Sequence, residues 1–427
     1  MEAYRAAMAE ATEISEKVGL HEKTADALSE LGRFDEAEDE IEAGMALLPG
    51  GPSPERARLL LKSITSIHLI RVDYDRAWEC VEQASTWARD SREEPYLEGY
   101  LAQVRGLLLC IDPAKRDLTR AKEELGRAER IWRDVAPRAL LWTYDTQIQL
   151  AQVEGRMADA LEYCNEMIAL AIESGNVISR FNGLRQKALT LGPFLGRIEE
   201  AFLVLQELHR LADTIQLPWP GYPLWDEAWL LELQGRNAEA LEFLAHFLDE
   251  GPGGGIAPVF SEEGYVRWDI RRGPPDMRHY TWMAQLSAKC GDTPSAREYV
   301  KRARALVPEG LTPWMASQVD LTESLIHIAD GEAEEAEASF QRMAEHFNEM
   351  DCMEEPSLFP IVACRNTIEV CLLDYGTFLV GEGRVRDATK VLRRIVRNSE
   401  TYGFKAIEQA ARDTLEKLET SIKPMTP

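Results

Sequence analysis

The sequence predicts an all-α chain, an α-solenoid of about nine helical hairpins followed by a C-terminal capping helix. Two observations predict it. The stretch Leu31–Pro49, LGRFDEAEDEIEAGMALLP, has a near-copy far downstream at Gly291–Pro308, GDTPSAREYVKRARALVP. Ala37, Ile41, Gly44 and Pro49 follow Gly32 at offsets of 5, 9, 12 and 17, and Ala296, Val300, Ala303 and Pro308 follow Gly291 at the same offsets. The pattern also recurs with a period. Gly155, Gly196 and Gly235 are separated by 41 and 39 residues, and Gly291 and Gly331 by 40. A period of this length holds two helices, and a pair of helices cannot bury its apolar faces alone, so neighbouring pairs must stack.

The elements follow in order. Residues 2–18 form an amphipathic helix and Leu20–Leu31 a second, ending at Gly32, after which the reference helix begins. Val72 takes the glycine's place before Ala77, Val81 and Ala84. The third unit is irregular: Gly106 sits in its first helix, Pro113 breaks the chain, and Ala121, Leu125 and Ala128 mark its second helix. Gly155, Gly196, Gly235, Gly291, Gly331 and Gly383 then lead the later units. The glycine permits the tight turn between helices. The alanine five residues on lets the two helices approach, and the apolar residue at plus nine fills the space between hairpins. Two spacings break the period. Gly235 to Gly291 is 56 residues, with its surplus in Gly251–Pro275, and Gly331 to Gly383 is 52, with its surplus near Asp351–Pro360. The first surplus is expected to be a Gly/Pro/aromatic loop. Its Tyr265, Arg267 and Trp268 either pack on the solenoid or contact a partner. Tyr402–Ile422 is amphipathic and reads as the cap that such arrays need. The organisation is therefore about six repeats over residues 1–250, an insertion over 251–275, about three repeats over 276–400, and a cap and tail over 401–427.

The LG…A…F/L…A…P pattern resembles the tetratricopeptide repeat, best at Leu31–Pro49 and Gly291–Pro308, and Tyr375-Gly376 matches the Leu-Gly pair of a first helix. The long repeats are similar to those of kinesin light chains and MalT-like regulators. Val72 departs from the pattern, as do Met167 at a small-residue position and about three extra residues in the third unit. The resemblance implies a right-handed superhelix whose first helices line a concave groove.

Composition narrows the partners. A formal net charge of −25 opposes duplex nucleic acid and anionic membrane surfaces, which require lysine and arginine. The seven scattered cysteines contain no CxxC pair and suit a reducing, cytoplasmic setting. The N-terminus carries early acids and no apolar core, unlike a signal peptide. No HExxH, GxSxG or P-loop is present, and GPGGG at Gly251–Gly255 lacks the strand-before, helix-after context of a phosphate cradle. No metal or cofactor is expected: the seven histidines form no helical pair, and His346 with Cys352 has no third ligand at motif-like spacing.

Aligned to the resemblance, the groove positions are Lys62, Tyr100, Gln103, Trp142, Gln149, Gln186, Tyr222, Trp225, Trp229, Arg278 and Gln285. Aromatic residues and arginine dominate binding hot spots, and glutamine amides can pair with the main chain of an extended peptide. Each has a plainer reading. Trp225 and Trp229, one turn apart, also suit packing between hairpins. Lys62 occupies the place of a carboxylate-clamp lysine, but Ser66 stands where the clamp has asparagine, and a solvated side chain is the alternative. The basic cluster Arg384, Arg386, Lys390, Arg393, Arg394, Arg397 and Lys405 either pairs with the chain's own acids, the favoured reading, or meets an acidic partner. The function expected is a non-catalytic scaffold or adaptor holding a segment of another protein. The alternatives are a sensor for a small ligand or signalling peptide that gates a separate effector, and an enzyme using Asp145 or Glu232 as an acid.

Overall fold

The computed structural model describes residues 2–30, 33–69, 71, 73–90, 95–215, 221–249, 255–260, 266–273, 277–306, 313–349 and 358–422. Helix α1 (Glu2–Glu10) precedes nine helical hairpins among the described residues. They are α2/α3 (Ile14–Glu30, Phe34–Leu47), α4/α5 (Pro54–Ser63, Tyr74–Asp90), α6/α7 (Pro95–Ile111, Leu118–Val135), α8/α9 (Leu140–Val153, Met157–Ser174) and α10/α11 (Val177–Leu189, Ile198–Ile215). There follow α12/α13 (Gly221–Leu233, Asn237–Asp249), α14/α15 (Met277–Lys289, Thr293–Ala305), α16/α17 (Pro313–Asp330, Ala333–Glu349) and α18/α19 (Leu358–Gly381, Val385–Tyr402), then α20 (Lys405–Ile422). The helices group into two compact units, Met1–Gln147 with Pro258–Trp268, and Ile148–Ala257 with Asp269–Pro427.

The repeat positions do what their size requires. The alanine five residues past the turn is fully buried in every hairpin, from Ala37 and Ala77 through Ala296 to Ala388. The residue at plus nine is buried in every hairpin too, from Ile41 and Val81 to Phe340 and Leu392. The turn glycines from Gly155 to Gly383 have φ between 70° and 80°, the left-handed region that a side chain disfavours. Glycine inside a first helix serves a different purpose. A Cβ at Gly106 would come within 2.7 Å of Leu125, and one at Gly376 within 2.9 Å of Leu392. In these hairpins a leucine of the second helix packs directly on the bare backbone of the first. Positions Gly32 and Val72 lie outside the described residues.

Three expectations change. The first helix does not run over residues 2–18: α1 stops at Glu10 and α2 continues through Gly19, because Val18, Ala25 and Leu28 form one buried stripe across that glycine. A mid-helix glycine costs about 1 kcal/mol relative to alanine, and the packing of this stripe offsets it. The insertion is not wholly irregular. It carries two paired strands, β1 (Gly255–Phe260) and β2 (Val266–Gly273), whose Ile256, Val259, Phe260, Val266 and Ile270 are strand formers. Tyr265 lies outside the described residues.

The third change concerns the second unit, which closes on itself rather than joining only neighbours. A Cβ at Gly155, between α8 and α9, would lie 2.6 Å from the Thr401 carbonyl oxygen. One at Gly403, between α19 and α20, would lie 2.6 Å from the Gly155 oxygen. Arg365 Nη1 donates to the Val153 carbonyl, 212 residues away, at 3.1 Å, and its guanidinium sits 4.7 Å from the centre of the Tyr402 ring. The buried rings of Phe194 and Phe404 are 5.5 Å apart. A small rotation per hairpin accumulates until the last one meets the first of its unit. Helix α20 is therefore a joint as well as a cap.

Candidate functional site

In the first unit, polar contacts link the first helices of consecutive hairpins. Helix α4 ends in a π-helical turn at Ile64–His68, which displaces its carbonyls from the regular ladder. The freed Ser66 carbonyl accepts the Ser29 hydroxyl from α2. The Ser66 hydroxyl donates to Asp26 Oδ1 at 2.7 Å, and Lys62 Nζ lies 2.8 Å from Asp26 Oδ2. Asp26 thus stands where a clamp would seat a partner's carboxylate. Lys62 also lies 5.9 Å from the ring centre of Trp142, whose side chain is 50% exposed at the start of α8. Between them, the Tyr100 hydroxyl of α6 is 3.3 Å from Thr65 Oγ1. Burial raises the Tyr100 phenol well above its ordinary range, so it stays protonated. Gln103 is buried and accepts the Trp132 indole N–H at 3.0 Å. Trp142 is a half-exposed indole with a cation near one face, and among the described residues Tyr96 of α6 is a second exposed ring on this side of the unit.

In the second unit the predicted glutamines are engaged internally. Gln152 Nε2 donates to Thr190 Oγ1 at 3.0 Å and to Gln186 Oε1 at 3.3 Å. Gln285 Nε2 donates to Thr322 Oγ1 at 3.3 Å and approaches Gln318 Oε1 at 3.5 Å. Gln186 and Gln285 are thus buried rungs between hairpins rather than free amides. Gln149 and Trp229 are half-buried. The side chains of Tyr222, Trp225, Arg267, Trp268 and Arg278 lie outside the described residues.

Three features went unpredicted. Arg185 holds the buried Asp226 at 2.7 and 3.2 Å, across from α10 to α12. Lys289 of α14 lies 3.0 Å from Glu232 of α12 and 3.7 Å from Asp374 of α18, while the Trp282 indole donates to Glu232 at 2.6 Å. Burial alone would lower the Lys289 ammonium, but the two carboxylates outweigh it and raise it above the ordinary lysine range. Glu232, considered above as an enzymic acid, is thus a fixed ion-paired carboxylate. Gln152 and Gln186 are 34 residues apart, shorter than the period of about 40, so the repeat spacing does not mark these rungs. Nothing local in the sequence pointed to a triad drawn from α12, α14 and α18.

The third unpredicted group is Glu369 on α18, which is 2% exposed. One oxygen accepts Asn398 Nδ2 at 2.8 Å and the other has no hydrogen-bond partner. Burial pushes its pKa up to about 7, against the pull of Asn398 and Arg394. The folded state therefore binds the proton more tightly than the unfolded chain. The resulting stability is fully present below the unfolded carboxyl's pKa and is lost as pH rises through about 7. Glu369→Gln keeps the acceptor for Asn398 and removes the charge. We expect it to raise stability by about 1–2 kcal/mol at about pH 8 and to change little at about pH 5, by urea unfolding. An identical pH profile in the variant would contradict this assignment.

Among the described residues no group of three or more His, Cys, Asp or Glu side chains is arranged to hold a metal ion. His346 Nε2 lies 3.3 Å from Asp320 Oδ2, and Cys352 is outside the described residues. Among the described residues no helix is long and apolar enough to cross a membrane.

No family profile and no curated protein matches the sequence. Solved structures do resemble it. The apo form of RapI is similar over 94% of this chain and 98% of its own, with 12% identity and a TM-score of 0.60. Aspartyl phosphate phosphatase F from Bacillus subtilis is similar over 91% and 94%, with 13% identity and a TM-score of 0.53. A Rap protein complexed with Competence and Sporulation Factor is similar over 95% and 98%, with 11% identity and a TM-score of 0.51. The fold is a tetratricopeptide-type helical-repeat array. At these identities the likeness concerns architecture alone.

Proposed function

We propose that the chain is a non-catalytic, cytoplasmic scaffold that holds a segment of a partner protein against its first helices, with Trp142 as the anchor. The observation that carries this reading is Trp142 itself, half-exposed while Lys62 fixes one face of its ring. A large side chain already held in place loses little entropy on binding, and such tryptophans are typical hot spots. Lys62 is engaged by Asp26, so a partner carboxylate would have to compete with an internal one. Tyr100 and Gln103 are buried and bonded to Thr65 and Trp132, and the carboxylates argue against nucleic acid as the partner.

The test is affinity capture with wild type and Trp142→Ala, read by mass spectrometry, then titration of the retained protein. We expect the variant to weaken its affinity roughly 30-fold, the scale of a hot-spot loss of about 2 kcal/mol. About half of the Trp142 side chain is covered, so the variant should melt somewhat below wild type yet stay folded at the assay temperature, which circular dichroism checks. Equal retention by both proteins would place the contact elsewhere.

A second reading, a sensor for a short signalling peptide that gates a separate effector, draws on the self-closure of the second unit at Gly155 and Gly403. The similar Rap protein was solved with Competence and Sporulation Factor. A short peptide that raises the melting temperature, with no protein retained in the capture, would favour this second reading.

A further inference from the structure

The basic cluster of the last hairpin is only partly neutralised by the chain's own acids. Arg384 pairs with Glu337 and Asp387, and Lys405 with Glu408 at 2.7 Å. Arg393 lies 4.0 Å from Glu419, with both side chains 67% exposed, a pair of little strength. Arg386, Lys390 and Arg397 are exposed and have no ion pair among the described residues. With Arg393 they stand at positions i, i+4, i+7 and i+11 of α19 and form one cationic stripe on a chain of net charge −25.

A matching stripe of opposite sign is present in the first hairpin. Helix α3 carries six carboxylates and no lysine or arginine. Asp35, Asp39 and Glu42 are exposed at i, i+4 and i+7, the spacing of Arg386, Lys390 and Arg393. Arg71 reaches Asp35 and Glu38, Arg33 pairs with Glu36, and His21 with Glu40 at 2.6 Å. Asp39 and Glu42 have no ion pair among the described residues.

We propose that copies of this chain associate head to tail, the basic stripe of α19 on one copy docking on the acidic stripe of α3 on the next. Equal spacing lets three charges of each helix face three of the other, and both helices are the second of their hairpin. The contact is electrostatic, so it steers and orients copies while staying sensitive to salt. Because two different surfaces meet, the association is heterologous, and growth stops only if a ring closes.

Sedimentation velocity on the full chain tests this at about 20 mM and about 500 mM salt, where the screening length falls severalfold. We expect wild type to sediment as oligomers at low salt and as monomer at high salt. Arg386→Glu/Lys390→Glu/Arg393→Glu and, separately, Asp39→Lys/Glu42→Lys should each be monomeric. Mixing the two variants should restore association, because each then presents the charge that the other lost. All five positions are exposed, so the fold should persist; circular dichroism checks this, and Gln versions replace any variant that misfolds. Monomeric wild type at low salt, association indifferent to either reversal, or failure of the mixture to associate would each overturn the proposal. Association of wild type only on addition of a short oligonucleotide would instead assign the basic stripe to nucleic acid and equally overturn it.

Discussion

Ala296→Trp lowers the stability of the protein by about 1–3 kcal/mol, the usual cost of forcing extra volume into a packed interior. Ala296 is fully buried on α15 in a cluster with Ala284, Ala288, Val300, Ala303, Val319 and Ile326. Three of those neighbours are alanines, so small side chains set how near α14 and α15 approach. An indole at that point must either push the helices apart or leave its rotamer minimum, and either change also disturbs Val319 and Ile326 on the next hairpin. Ala37→Trp should behave alike, since Ala37 is fully buried beside Val18, Ala25 and Leu28. Urea unfolding measures both. Because the two positions lie in different units, the variants also report whether the units unfold together. A midpoint unmoved by either substitution would mean that the repeat register is wrong.

The register was legible because it depends on contacts inside one period. Turn glycine, close-approach alanine and plus-nine filler are each required by geometry within about 40 residues, so each leaves a mark at a fixed offset. Contacts between distant hairpins leave no such mark. Gly155 and Gly403 look like any other turn glycines in the sequence, and only accumulated curvature brings them together. The glutamines show a partial failure. Gln186 and Gln285 lie on first helices, but the Gln186 amide accepts from Gln152 of the preceding hairpin and the Gln285 amide donates to Thr322 of the next, rather than meeting an incoming peptide. A polar residue on one first helix can satisfy a polar residue on the neighbouring one, and burial makes that the better outcome. Lys62 shows the same preference, since its ammonium is held by Asp26 from the preceding hairpin. What the sequence pattern could not reveal is which groove residue remains open, and Trp142 is distinguished only by its exposure.

The largest effect is expected at Lys289. Its ammonium is mostly buried between Glu232 and Asp374, at 3.0 and 3.7 Å, and draws α12, α14 and α18 together inside the second unit. Lys289→Ala leaves two carboxylates near each other without a counter-charge, and removing one partner of a buried pair costs about 3–5 kcal/mol. With 22% of the lysine side chain still exposed, the lower end of that range applies. The sign of the pH dependence follows from the groups left behind. Burial already pushes Asp374 upward while Lys289 holds it down. Without the lysine its folded pKa rises further, so the folded state can recover by taking up a proton. The loss should therefore be greatest at about pH 8 and shrink toward about pH 5. Asp374→Asn in the Lys289→Ala background should restore part of the stability, and the double-mutant cycle should show a coupling well above that of a surface pair. Equal loss at both pH values, with no recovery from the second substitution, would mean that lost packing of the lysine stem accounts for the effect and that the triad does not join the three helices.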